Sequence, residues 1–281
     1  MTEAELEPWG GSESIMESWL DASSSRRSIC GNCDRPSSVC ICSALPETLI
    51  HTTNKVIIVQ HPHQLQNPLC TVPILTKSLR NATVIVARRL RLGMSPLLDS
   101  LYHSQSSSTK VIYLFPPTKD HQSSTPLSAL RHSTSPSRIE VLIAFDGTWN
   151  HAREMVAASM EFLSKFAVRV CLECDESVEG MSIYDSELIL RKEPYQGCVS
   201  TAEAVARVLS VIEPNGAGVE TERKLIRVLG QMVKLQKGFL KPTAVHRPKL
   251  KKKGKTNLKD APTDSHSGFA ILTVTSTDEL L

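Results

Sequence analysis

Val141-Leu142-Ile143-Ala144-Phe145-Asp146-Gly147-Thr148-Trp149-Asn150-His151-Ala152-Arg153-Glu154-Met155-Val156 is the stretch that decides the fold. Its first five residues form a short apolar run rich in β-branched and aromatic side chains. That predicts a strand buried on both faces, as in a parallel sheet covered by helices. In such sheets ligands sit beyond the carboxyl ends of the strands, so an acid at position 146 is aimed at a cleft. Asp-Gly after a strand is also ordinary turn chemistry, and Asp is a good helix cap. Trp149 tips the balance: a large side chain spent in a turn points to a cleft wall or a stacking surface. A dehalogenase-like phosphatase would need a nucleophilic Asp two residues before Asp146, where this chain has Ala144. No G-x-x-x-x-G-K-[ST] occurs and no G-x-G-x-x-G follows a strand, which removes phosphate-loop and dinucleotide-binding readings.

Outward from this stretch, strands are expected at Lys55–Gln60, Thr83–Ala87, Lys110–Phe115 and Val168–Leu172, with a helix near Val72–Leu79. The first strand ends in His61-Pro62-His63, and Pro62 stops it from continuing as a central strand. Ser106–Thr109 and the Ser/Pro-rich stretch Gln122–Arg138 read as surface loops. Ser200 opens an amphipathic helix through Ile212, with Glu203 three residues on as a capping box. A last helix runs from about Thr221 to Phe239, its apolar positions Leu225, Val228, Leu229, Met232 and Val233 at helical spacing. Alternating strands and helices imply an α/β fold with a mostly parallel sheet and helices on both faces.

Four thiols fall within thirteen positions as Cys30-x-x-Cys33 and Cys40-x-Cys42, with Gly31, Asn32, Asp34 and Pro36 supplying tight turns. Two short knuckles of this kind suit a tetrahedral four-cysteine zinc site, closed to water and hence structural. A redox Cys-x-x-Cys normally opens a helix, which Pro36, Ser37 and Ser38 oppose. Cys171-x-x-Cys174 has no second pair to complete a site, and Cys70 and Cys198 read as small buried hydrophobes.

The 281 residues, 41% hydrophobic, allow one main domain with appendages. Residues 1–27 read as a flexible acidic leader, 28–45 as the zinc knuckle, 46–240 as the α/β domain and 241–281 as a basic, largely disordered tail. No apolar stretch is long enough to span a bilayer, and Glu3, Glu5 and Glu7 do not fit a signal peptide. The expectation is a soluble intracellular protein of the cytoplasm and/or nucleus with no membrane partner. Although the net charge is +3, Lys241 to Lys259 hold eight Lys and Arg and no acid, so the remaining chain is mildly acidic. Lys249, Lys251, Lys252, Lys253 and Lys255 suit RNA phosphates, a nuclear import signal or a solvated charge run.

Taken in order, the thiol pairs, Gln60-His61-Pro62, Leu114-Phe115-Pro116, Asp146-Gly147-Thr148-Trp149, Arg191 with Pro194, and Ser200-Thr201-x-Glu203-Ala204 resemble the DTW-domain family, over roughly residues 28–240. Each motif is weak alone; their order and spacing are specific. The resemblance, nearest the eukaryotic branch, implies a tRNA-uridine aminocarboxypropyltransferase. Such an enzyme moves the 3-amino-3-carboxypropyl group of S-adenosylmethionine to N3 of a D-loop uridine and releases methylthioadenosine. It also implies a fold similar to the trefoil-knotted SPOUT methyltransferases.

On that resemblance Asp146 and Trp149 are the candidate catalytic residues. Asp146 would take the N3 proton or orient the base, and Trp149 would stack on the uracil or wall the adenosine. Gln60, His61, Pro62, Leu114, Pro116, Thr148, Arg191, Ser200, Thr201 and Glu203 are the candidate cofactor-binding set. Arg191 suits a carboxylate or phosphate through its planar fork, and the helix start at Ser200 and Thr201 suits an anion. Family members often carry Glu two residues after Gln-His-Pro, whereas this chain has Gln64. A SPOUT-like RNA methyltransferase and a non-catalytic zinc-containing RNA-binding module are the competing functions.

Overall fold

The computed structural model describes residues 28–104, 110–117, 124–131, 139–172 and 199–239. Strands β1 (Lys55–Gln60), β2 (Ala82–Val86), β3 (Lys110–Leu114), β4 (Thr125–Pro126), β5 (Ile139–Asp146) and β6 (Ala167–Cys171) form one sheet in the order β2-β1-β5-β3-β6-β4. Every pairing is parallel. The expected strands are all present within a residue or two. The Ser/Pro-rich stretch differs from its reading as plain loop, because β4 and a short helix lie inside it. Proline is tolerated there because β4 is an edge strand.

The helices are α1 (Val72–Ser78), α2 (Pro96–His103), α3 (Leu127–Arg131), α4 (Trp149–Leu163), α5 (Thr201–Ile212) and α6 (Ala217–Lys237). Thr148 caps α4, its Oγ1 accepting from the His151 N–H at 3.1 Å. The cap is therefore Thr148 and not Asp146, and Trp149 is the first helical residue and not a turn residue. Ser200 caps α5 by accepting from the Glu203 N–H at 3.2 Å, and Ser95 caps α2 with Pro96 in its first turn. Gly216, with φ +74°, makes the left-handed turn between α5 and α6. A Cβ on Gly218 would stand 2.4 Å from the Leu209 carbonyl oxygen, so glycine allows α6 to pass close to α5.

Strand register explains the two helical layers. Tyr113 pairs with Ile143 across β3 and β5, and its hydroxyl donates to Met160 Sδ on α4 at 3.4 Å. Asp146, three residues beyond Ile143, faces the opposite way and meets Thr201 at the start of α5. One face thus carries α4, while α5 packs on the other together with α1 and α6. The central strands are apolar on both sides, with Val56, Ile58, Val59, Leu142, Ile143, Ala144 and Phe145 all buried.

The cysteine segment is stitched to this body. An antiparallel bridge joins Ile29 and Pro36, Arg35 Nε donates to the Val39 carbonyl at 3.1 Å, and Cys33, Ile41 and Ala44 join the main hydrophobic core. Lys77 on α1 pairs with Asp34 at 3.6 Å. Opposite the site, Glu213 ends α5 by accepting from the backbone N–H groups of Thr53 and Asn54 and from Asn54 Nδ2, at 2.9, 2.9 and 2.7 Å. That carboxylate ties the entry to β1 to the end of α5.

Candidate active site

Parallel strands β1 and β5 end side by side, with Gln60 in register with Asp146. The His61 N–H donates to the Asp146 carbonyl at 2.8 Å, which closes the ladder and fixes both strand ends. The Asp146 side chain is 6% exposed. Its Oδ1 accepts from Thr201 Oγ1 at 2.7 Å, and its Oδ2 accepts from Gln60 Nε2 at 3.3 Å. Cys70 Sγ lies 3.8 Å from the same oxygen and 3.1 Å from Gln60 Nε2. A buried carboxylate requires polar partners, and three separate chain segments supply them. Gly147 is needed directly after it: a Cβ there would meet His151 Cβ at 3.0 Å and Met155 Cε at 3.1 Å.

Trp149 stacks on Phe115, centroids 5.5 Å apart and planes 11° from parallel. Phe115 follows β3, so the tryptophan joins the ends of β3 and β5 into one wall. Arg169 on β6 supports that wall from within; its guanidinium lies over the Tyr113 and Phe115 rings, with Nε donating to the Tyr113 hydroxyl at 3.0 Å and Nη1 to the Pro116 carbonyl at 3.5 Å. Leu114 is fully buried in the core. At the α5 start, the Ala202 N–H donates to Thr71 Oγ1 at 3.3 Å, so one of the donors that the helix start offers an anion is engaged within the protein. Glu203, buried, forms an ion pair with Arg207 at 2.6 Å along α5.

On the sheet face away from Asp146 three histidines meet. The His61 and His151 rings stack at 3.8 Å and 9°, and His63 lies edge-on to both. Their nitrogens approach within 4.8 Å, yet Arg88 Nη2 stands 3.5 Å from His63 Nε2, an arrangement that disfavours a shared cation. Burial, reinforced by His151, His63 and Arg88, lowers the His61 pKa to about 4, so its imidazole is neutral at pH 7. Only the His-Pro-His spacing hinted at this group; His151 arrives from 88 positions beyond His63 through the fold. Cys70, read as a small buried hydrophobe, is buried but also contacts Gln60 and Asp146.

Thiols of Cys30, Cys33, Cys40 and Cys42 converge within 4.8 Å, with Cys30–Cys42 at 3.5 Å and Cys33–Cys40 at 3.7 Å. A tetrahedron of sulfurs about 2.3 Å from a central ion has edges of about 3.8 Å, so the set fits a metal ion and all four are free thiols. Backbone N–H groups of Cys33 and Asn32 point at the Cys30 sulfur and lower its pKa to about 6. Burial, with the other thiols, pushes Cys42 up to about 12. Arg191, Pro194, Cys174, Cys198 and the tail lysines Lys249, Lys251, Lys252, Lys253 and Lys255 lie outside the described residues. So does the 173–198 connection. No described helix is long and apolar enough to cross a membrane.

Comparison with known proteins finds a family model and relatives over most of the chain. The DTW domain model matches residues 27–237. The tRNA-uridine aminocarboxypropyltransferase A of Arabidopsis thaliana is 49% identical over 238 residues, covering 81% of this chain and 88% of that protein. The tRNA-uridine aminocarboxypropyltransferase 2 of Drosophila melanogaster is 29% identical over 78% of this chain and 82% of its own, and that of Macaca fascicularis 27% over 81% and 75%. No solved structure matches the chain. With the family model spanning most of its length and a relative at 49% identity, the chain belongs to the DTW-domain family.

Proposed function

We propose that this protein is a tRNA-uridine aminocarboxypropyltransferase that forms a 3-amino-3-carboxypropyl uridine at N3, in the tRNA D-loop, using S-adenosylmethionine as donor. The carrying observation is the Asp146 carboxylate, buried at the carboxyl end of a central parallel strand and oriented by Gln60 and Thr201. All three belong to the motifs that mark the family, and the curated relatives bear the activity in their names.

When bound, the donor supplies an electrophilic carbon beside its sulfonium. Uridine N3 must lose a proton to attack it; a new N–C bond forms, the C–S bond breaks and methylthioadenosine departs. Asp146 takes that proton, its orientation held by the Thr201 hydroxyl and the Gln60 amide. The Trp149–Phe115 wall provides an aromatic face beside the carboxylate's strand end, suited to a nucleobase or to adenine. The four-cysteine knuckle holds structural Zn2+, closed by its sulfurs. The basic tail adds RNA contacts, and the protein works in the cytoplasm and/or nucleus.

Purified protein with tRNA and S-adenosylmethionine is expected to yield methylthioadenosine and N3-modified uridine by mass spectrometry; S-adenosylhomocysteine in its place identifies a methyltransferase. Asp146→Asn keeps hydrogen-bonding capacity without the charge and is expected to lower kcat by roughly 10²–10⁴. Near-normal turnover in Asp146→Asn, with loss only in Asp146→Ala, assigns orientation and not proton transfer.

A further inference from the structure

A cavity of about 750 Å³ opens between the cysteine knuckle and the β1–β2 edge of the sheet. Cys33, Arg35 and Val39 form its knuckle wall, and Val84, Val86 and Gln60 form its floor. Its volume lies within the roughly 300–1,000 Å³ typical of small-ligand sites. From this cavity we infer that the protein receives the unpaired acceptor uridine between the knuckle and the sheet, an inference that rests on the uridine-modifying reading above.

Register ties the cavity to Asp146. Val86 pairs with Gln60, and Gln60 pairs with Asp146, so the three stand in one row across β2, β1 and β5. Gln60 and Cys70 both line the cavity and both touch the Asp146 carboxylate region. Adjacent strands lie about 4.8 Å apart, so a base resting on Val86 and Gln60 comes within one strand spacing of the carboxylate.

The walls match a nucleobase. Leu65, Val86 and Phe239 are 59%, 46% and 62% exposed, and all three line this cavity. Exposed apolar side chains gathered at one opening mark a binding surface, and an aromatic ring there suits stacking of an unpaired RNA base. The Gln60 amide supplies polarity beside these apolar contacts, where an imide edge carrying both donor and acceptors would lie.

Basic side chains follow the floor strand β2 in sequence. β2 ends at Val86 and leads into Arg89 and Arg91, both exposed and in no ion pair among the described residues, while Arg88 meets His63 on the other face of the sheet. Two guanidinium groups just beyond that strand suit the phosphates flanking a splayed nucleotide.

Val86→Trp, at an exposed edge-strand position, narrows the cavity. It is expected to raise the KM for tRNA at least tenfold while S-adenosylmethionine affinity stays within twofold. Arg89→Ala/Arg91→Ala is expected to weaken tRNA binding and to reduce the salt slope of log K by about 1.5. Loss of donor affinity with tRNA KM unchanged, or no change in either, overturns the assignment. Photocrosslinking of wild-type protein to tRNA containing 5-bromouridine reads occupancy without catalysis and without any variant. Crosslinked peptides carrying Leu65 or Phe239 support the pocket, and crosslinks confined to other segments refute it. A wild-type protein that crosslinks there yet transfers nothing refutes the activity reading and leaves the pocket standing.

Discussion

Thr201 Oγ1 donates a 2.7 Å hydrogen bond to Asp146 Oδ1, joining the first residue of α5 to the last residue of β5 across 55 positions of sequence. Both groups are buried, so the hydroxyl has little water to exchange with and the bond orients the carboxylate. Thr201→Val keeps the side-chain volume and deletes the donor. A buried hydrogen bond to a charged group is worth about 1.5–3 kcal/mol, which sets the scale for the loss of stability. Turnover is expected to fall about 10- to 100-fold with tRNA KM little changed. Steady-state kinetics beside a melting curve checks this; unchanged kcat would remove Thr201 from the positioning of Asp146.

Metal content tests the knuckle. Elemental analysis is expected to find one zinc per chain, and Cys33→Ser is expected to reduce it. Because Cys33, Ile41 and Ala44 belong to the main core, the loss of metal loosens the domain and not merely a leader. A strong chelator is therefore expected to lower the Tm by several degrees, as read by calorimetry. An unchanged Tm after complete metal removal contradicts this coupling.

His61 makes stability depend on pH. Its folded pKa of about 4 lies below the ordinary 6.5, so the unfolded chain binds its proton first as pH falls. Stability is complete above pH 6.5 and is lost between 6.5 and about 4, by at most about 3 kcal/mol from this group. His61→Gln removes the titration. Urea unfolding at pH 7 and pH 4.5 should show a smaller difference for the variant than for the native chain, and equal differences would exclude His61 as the source.

Glu213→Ala leaves the Thr53 and Asn54 N–H groups and the Asn54 amide without their shared acceptor. An unpaired buried donor costs about 1–3 kcal/mol at most; Thr53 is exposed and can turn to water, and the Asn54 amide keeps the Ile212 carbonyl at 3.4 Å, so the buried Asn54 N–H bears most of the loss. A net destabilisation of about 1–3 kcal/mol is expected in equilibrium denaturation. Since Glu213 lies at the far end of α5 from Thr201, kcat measured well below the Tm is expected to stay near that of the native chain.

Local pattern determined much of this protein. The apolar runs at 56–59 and 141–145, each followed by a polar residue, specify strands buried on both faces with polar side chains at their carboxyl ends. Ser200 before Thr201-Ala202-Glu203 specifies a capped helix. Four closely spaced thiols specify a cluster able to hold a metal ion, because short turns alone bring them together. These features were legible because they depend on neighbours a few positions apart and on periodicities of two and 3.6 residues. The motif series also identified the family.

Tertiary structure decided which of these residues meet. Gln60 meets Asp146 only because β1 and β5 are adjacent, an order that no spacing in the chain reveals. The turn at Asp146 reads locally as an Asp cap; the fold instead assigns capping to Thr148 and turns the carboxylate toward Thr201. Cys70 reads as a hydrophobe until β1 and α5 bring Gln60 and Asp146 against it. The histidine stack and the cavity under the knuckle likewise join residues dozens of positions apart. Strand order, and the alternation that sends Asp146 to one face and His61 to the other, are properties of the assembled sheet; the residues that carry them are visible in the chain, and their meeting is not.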